Sequence, residues 1–152
     1  MKRHPETENL ISFDKSMYTL DMGAGDGSSG CSVCIDIDPK GTNVIKGDFL
    51  SLPFDDNTFD GVLSQCAFWL SGNPHKAMEE AMRVLKPGGK LMLSDVFFEE
   101  PWFEYDEIKD ITPLWREYYL ERLWSDEPIC GIENAKGAPK YYQIVRTKNG
   151  LK

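Results

Sequence analysis

Tyr18-Thr19-Leu20-Asp21-Met22-Gly23-Ala24-Gly25-Asp26-Gly27-Ser28-Ser29-Gly30 is the stretch from which the rest of the chain is read. A short apolar run ends at Asp21, and glycine then recurs at every second position, Gly23, Gly25 and Gly27. An apolar strand running into such a loop presents bare backbone N–H groups at the carboxyl edge of a parallel sheet. Open α/β folds bind small ligands at that edge. A Cβ would block the ligand's approach, and many such turns need positive φ. Glycine-rich turns are common in themselves. Asp21, two residues before the first glycine, and further acidic positions downstream make this one informative.

Outward from the loop, the spacing is compressed. Only about a half-dozen residues separate the glycines from the next apolar run, Val33-Cys34-Ile35-Asp36, where a parallel crossover normally takes a dozen or more. Pro39 to Asn43 leads just as directly into Val44-Ile45. Two helices on one face of the sheet are therefore expected to be missing. Beyond them the proportions are ordinary. Phe59 to Ser64 reads as a strand buried on both faces. Asn73 and Pro74 read as N-cap and first residue of a helix. Its stripe is Ala77, Met78, Ala81, Met82 and Leu85, and Lys86-Pro87-Gly88-Gly89 is its stop. Leu91 to Val96 is a fifth strand. Thr112-Pro113 opens a second helix with Leu114, Trp115, Tyr118, Tyr119 and Leu123 buried, and Tyr141 to Arg146 is a last strand. The fold class is α/β, a shortened Rossmann-like and mostly parallel sheet of about six strands, with residues 1–152 as a single domain.

The bulk composition narrows the classes. The 152 residues carry a formal charge of −8 with no basic cluster to offset it, which argues against a nucleic-acid footprint. No apolar run reaches membrane-spanning length and no signal peptide follows Met1, so a soluble, cytoplasmic protein is expected. Cys31, Cys34, Cys66 and Cys130 are expected as reduced thiols. Cys31 and Cys34 lack the second pair that a zinc knuckle needs, and no metal site is read. Residues 1–17 are polar apart from Leu10, Ile11 and Phe13, a lead-in that could pack over the ligand.

Asp21, Asp36 and Asp48 each end a strand and would line one sheet edge. Asp36 is placed to accept hydrogen bonds from ribose hydroxyls, and Asp48 to face the amino edge of adenine. A dinucleotide would need a full first helix to hold its pyrophosphate. That helix is missing here, and Ser28 stands where the third dinucleotide glycine belongs. No P-loop lysine motif is present either. A phosphate-free adenosyl ligand, S-adenosylmethionine (SAM), fits best.

Leu20-Asp21-Met22-Gly23-Ala24-Gly25-Asp26-Gly27 resembles the first motif of class I SAM-dependent methyltransferases. Asp36 matches their ribose-binding acid and Gly47-Asp48-Phe49 their adenine-side motif. Leu52-Pro53-Phe54 through Phe59-Asp60 is similar to the signature of the type 11 (UbiE-like) group, and Arg83 to Gly89 to the turn before its fifth strand. The resemblance runs from Thr19 to Val96 and implies a SAM site made of Asp21, Gly23, Ala24, Gly25, Asp36, Ile37, Asp48, Phe49, Ser64, Gln65 and Cys66. It implies methyl transfer to a small-molecule acceptor, without nucleic acid or membrane as partner. The departures from the family are the two lost helices and the curtailed end.

Methyl transfer is helped mainly by holding nucleophile and methyl in near-attack geometry. Gln65, Cys66 and Asp95 are candidates near the carboxyl edge, but no catalytic base can be named. The aromatic segment Phe97 to Tyr105 reads equally as a substrate lid or as a cover for the shortened core. A rival reading is a catalytically inactive SAM-binding regulatory or partner subunit. Homodimerisation through the face left bare by the missing helices is a further expectation.

Overall fold

The structure, a computed structural model, describes residues 9–97, 99–114 and 140–149. Its strands are β1 (Thr19–Met22), β2 (Val33–Asp36), β3 (Val44–Lys46), β4 (Phe59–Gln65), β5 (Leu85–Phe97), β6 (Glu107–Asp110) and β7 (Lys140–Thr147). They form one sheet in the order β3-β2-β1-β4-β5-β7-β6. The first five run parallel, and β7 lies antiparallel between β5 and β6. Strand order reverses between β1 and β4, so the carboxyl ends of β1, β2 and β4 open the crevice where ligands bind in this kind of sheet.

Both expected helix losses are present. The chain passes from β1 to β2 and from β2 to β3 by loops, which are knitted to each other where helices would stand. Gly25 N donates to Asp36 Oδ2 at 2.8 Å, Lys40 N to Gly25 O at 2.9 Å, and Asn43 Nδ2 to Gly27 O at 2.9 Å. These bonds satisfy backbone groups that a crossover helix would have satisfied internally. On the opposite face α1 (Pro74–Val84) covers the sheet. Pro74 occupies its first turn and Asn73 Oδ1 accepts from Lys76 N at 3.2 Å, as the sequence predicts.

The strands bury alternate residues on alternate faces. Val62, Leu91, Leu93 and Ile144 pack toward α1 with Ala77, Ala81 and Val84. Leu63, Met92 and Val145 point the other way. That second face is covered by Leu10, Ile11 and Phe13. Leu10 N donates to Gln143 Oε1 at 2.6 Å, and a Cβ on Gly61 would come within 2.6 Å of the Phe13 ring. The described part of the lead-in, from residue 9 onward, thus replaces part of the lost helical layer instead of lying over the ligand edge. Its apolar side chains find apolar surface there, which the open crevice does not offer them.

Two other elements differ from expectation. Seven strands lie among the described residues, rather than about six. The extra one is β6, Glu-Ile-Lys-Asp, whose four residues are all exposed. An edge strand with no buried face has no apolar alternation to betray it. The helix ends at Val84, with Leu85 already extended as its cap, so Lys86 to Gly89 belongs to β5. Pro87 enforces this, since the residue before a proline is driven out of the helical region. The helix expected from Thr112 starts there, and its stripe from Trp115 onward, like Cys130, lies outside the described residues.

Candidate functional site

The crevice at the carboxyl edge is built from the ends of three strands. Gly23 leaves β1 at φ +83°, and its N–H and that of Ala24 both reach Ile35 O, at 2.9 and 3.0 Å. Asp36 ends β2 and Asp48 follows β3. Across from them the chain turns at Cys66, which holds φ +59°, a conformation uncommon outside glycine. Its N–H donates to Ser94 O at 2.7 Å. That turn folds Ala67 to Ser71 back over the edge.

Between these walls lies a cleft of about 200 Å³. Gly23, Asp36, Ile37, Asp48 and Phe49 of the sequence-predicted set line it. Leu50, Ala67, Leu70 and Ser71 complete it. No lining residue carries positive charge. Two apolar side chains on its rim are unusually open, Ile37 at 68% and Leu70 at 42%. A flat ring could be covered by them at little cost, because they are already in water.

The carboxylates are fixed. Asp36 accepts from Gly25 N through Oδ2 and from Asp38 N through Oδ1, at 2.8 and 2.9 Å. Asp48 caps the short helical turn Phe49–Ser51, accepting from Leu50 N at 2.9 Å. Each carboxylate oxygen has a second lone pair to offer a ligand hydroxyl or amine.

The remaining predicted residues sit elsewhere. Ala24 and Gly25 shape the turn behind the cleft. Ser64 is fully buried, and its hydroxyl donates to Met22 O at 2.9 Å, tying β4 to β1. Gln65 ends β4 beside Ser94. Asp21 is buried in β1. Burial pushes its carboxyl up to about 6 against a hydrogen bond from Ser29, with Asp36 and Asp26 adding repulsion. Leu70 and Ser71 went unread in the sequence because loop residues announce a lining role only through exposure, which sequence does not carry.

A second cavity, of about 310 Å³, lies on the other side of the Ala67–Ser71 turn. Phe68, Trp69, Phe97 and Trp102 supply its rings, and Asp95, Glu99 and Glu100 its carboxylates. Asp95, at the end of β5, is 4% exposed. Its Oδ1 accepts from Val96 N at 2.8 Å and its Oδ2 from Trp69 N at 3.2 Å, so it anchors the turn that separates the two cavities. Burial raises its carboxyl to about 7 despite these donors. Among the described residues no group of three or more His, Cys, Asp or Glu is set to hold a metal. No described helix is long and apolar enough to cross a membrane.

Asp21 and Asp95 together set a pH dependence. Both have folded pKa values above the ordinary carboxylate value of 3.8. The folded chain therefore holds more protons than the unfolded one between about pH 4 and 7, and stability falls as pH rises through that window. The urea midpoint is expected to be lower at pH 8 than at pH 5.5. A midpoint that is flat or rises between those values would contradict the burial of these two carboxyls.

A model of the methyltransferase domain matches residues 20–93. The chain is 34% identical over 105 residues to a demethylmenaquinone methyltransferase of Paenarthrobacter aurescens (strain TC1), a match covering 68% of this chain and 36% of that protein. It is 32% identical over 108 residues to a glycine/sarcosine/dimethylglycine N-methyltransferase of Actinopolyspora halophila, covering 71% of this chain and 16% of the relative. The chain thus matches little more than a third of the first relative's length and less of the second's. Among solved structures, geranyl diphosphate C-methyltransferase from Streptomyces coelicolor A3(2), in complex with Mg2+, geranyl diphosphate and S-adenosyl-L-homocysteine, superposes with a TM-score of 0.66 at 15% identity. That match covers 86% of this chain and 72% of the other. At such identity the likeness is one of fold.

Proposed function

The chain belongs to the class I SAM-dependent methyltransferase family, and from that premise we propose that it transfers the methyl group of SAM to a small-molecule acceptor. The observation that carries this reading is the donor set of the first cleft. Two anchored carboxylates face it, no cation lines it, and open apolar side chains flank it. Carboxylates suit hydroxyls and amines, whereas a phosphate would be repelled. An adenosyl group without phosphate satisfies both conditions.

In this reading Asp36 takes the ribose hydroxyls and Asp48 the adenine amino edge. Ile37, Phe49 and Leu70 cover the ring, and Gly23 lets the ligand approach the backbone. Asp21, Ala24, Gly25, Ser64, Gln65 and Cys66 act from behind, holding the turn and the end of β4 in place. When bound, SAM supplies a sulfonium methyl open to in-line displacement by the acceptor. The protein's part is positioning. Ala67 to Ser71 divide the cofactor cleft from the second cavity, and that cavity is where the acceptor is held. Residues 1–152 are read as one SAM-binding domain.

Calorimetric titration with SAM and S-adenosylhomocysteine tests this. Asp36→Asn keeps shape and one acceptor oxygen but removes the charge. Charge-assisted hydrogen bonds contribute about 1.5–3 kcal/mol, so affinity is expected to fall about 10- to 100-fold. Unchanged affinity in the variant would remove Asp36 from the site. Binding of neither ligand to the wild-type chain would overturn the reading. Tight binding without turnover over a broad acceptor panel would favour the inactive-subunit alternative.

A further inference from the structure

The second cavity has a composition that selects among acceptors, and the inference drawn from it rests on the methyltransferase reading above. Its rings come from three separate places: Phe68 and Trp69 from the turn after β4, Phe97 from the end of β5, and Trp102 from the segment beyond. Trp102 packs against Phe97 with ring centroids 6.2 Å apart and against His75 at 4.3 Å. Trp102 is 44% exposed and Phe97 6%, so the ring wall runs from solvent to the buried floor.

Rings alone would suit an apolar acceptor as well as a charged one. The carboxylates decide between them. Asp95 lies at the floor, buried and held by the Val96 and Trp69 N–H groups, and the full negative charge comes from Glu99 and Glu100, exposed at the mouth. No Lys or Arg is among the described lining residues. His75 also lines the cavity, with its ring against Trp102. An anionic acceptor would meet unopposed negative charge. A neutral, apolar one would strip water from carboxylates and give nothing in return. An organic cation gains from both the ring faces and the carboxylates. The chain's formal charge of −8 reinforces the local field at longer range.

We propose that the cavity bounded by Trp69, Phe97, Trp102, Asp95, Glu99 and Glu100 binds a small organic cation, and that the methyl acceptor carries an ammonium group recognised there. Small acids are correspondingly poor ligands.

The test uses three probes of one shape: choline, its neutral isostere 3,3-dimethyl-1-butanol, and 3,3-dimethylbutyrate. Each is titrated into the full chain with S-adenosylhomocysteine present and absent, following tryptophan fluorescence. Choline is expected to bind at least about 10-fold more tightly than the neutral isostere, with the acid weakest. Glu99→Gln combined with Glu100→Gln, and separately Trp102→Ala, should each remove most of that preference. Because these side chains are exposed, both variants should keep wild-type affinity for S-adenosylhomocysteine, which confirms that they fold. Equal binding of choline and its isostere, or no binding of choline, overturns the inference. If S-adenosylhomocysteine binds while choline shows no preference, the acceptor class alone is wrong. If choline is preferred but S-adenosylhomocysteine does not bind, the cation site stands and the methyltransferase reading fails.

Discussion

Replacing Arg83 by Ala is expected to destabilise the chain by about 3 kcal/mol, the low end of what breaking a buried ion pair costs, since the guanidinium is partly solvated. Arg83 lies in the last turn of α1 and reaches sideways. Its Nε donates to Glu80 Oε2 at 2.7 Å, one terminal nitrogen to Phe54 O and Asp56 Oδ1 at 2.8 and 2.9 Å, and the other to Leu52 O at 3.1 Å. Glu80 completes the clamp by accepting from Leu52 N at 2.7 Å, and its side chain is only 8% exposed. Hydrogen bonds from Arg83 hold the Glu80 carboxyl below its usual range, against the effect of burial. Alanine would leave that carboxylate buried without its partner and two carbonyls without donors. Lysine should not rescue the loss, because one ammonium cannot replace a fork that serves four acceptors. Repeating Arg83→Ala in a Glu80→Gln background should cost less than half as much, since no buried charge is then stranded. Urea unfolding measures both. A loss under about 1 kcal/mol in the wild-type background would show that the clamp is ornamental. The segment it holds begins at Asp48 and Phe49, so SAM affinity should weaken in parallel.

This clamp also shows how far the sequence could be read. Arg83 and the Leu52-Pro53-Phe54 stretch stood out as parts of a familiar signature, yet nothing in their spacing says that one binds the other's carbonyls. The glycine turn, Asp36 and Asp48 were legible because strand ends in a parallel sheet converge on one edge whatever the loops do. The lost helices were legible from arithmetic alone. Leu70 and Ser71 were not, because their role depends on the left-handed turn at Cys66, a conformation that a cysteine does not advertise. Nor was the fate of Phe97 to Tyr105. An aromatic run serves a lid or a core equally well, and here it divides, with Phe97 buried and Trp102 half in solvent. β6 was invisible because pairing with β7 through backbone groups asks nothing of its side chains.

The other large effect is expected at Gly23, where alanine should reduce S-adenosylhomocysteine affinity by at least about 100-fold and cost about 2–4 kcal/mol of stability, from left-handed strain and overpacking combined. Gly23 holds φ +83°, and a Cβ there would lie 2.4 Å from Ala67 Cβ and 3.4 Å from the Phe49 ring. These neighbours stand on both sides of the cleft, so the added methyl fills space the ligand would need. Ala67 cannot yield easily. Its Cβ is one bond from backbone, and the turn it belongs to is tied by Cys66 N to Ser94 O and by Trp69 N to Asp95. Gly23 cannot yield either, since its N–H and that of Ala24 are both bonded to Ile35 O. The two costs can be separated. Ala67→Gly removes the colliding methyl but leaves the unfavourable φ, so the double variant should recover the overpacking part of the stability and keep the remainder of the loss. Full recovery would mean that the backbone conformation costs nothing. No recovery would place the whole cost in the backbone and none in the contact. Wild-type affinity in Gly23→Ala alone would be the most damaging result, because the turn after β1 would then not be the cradle on which the cofactor reading depends.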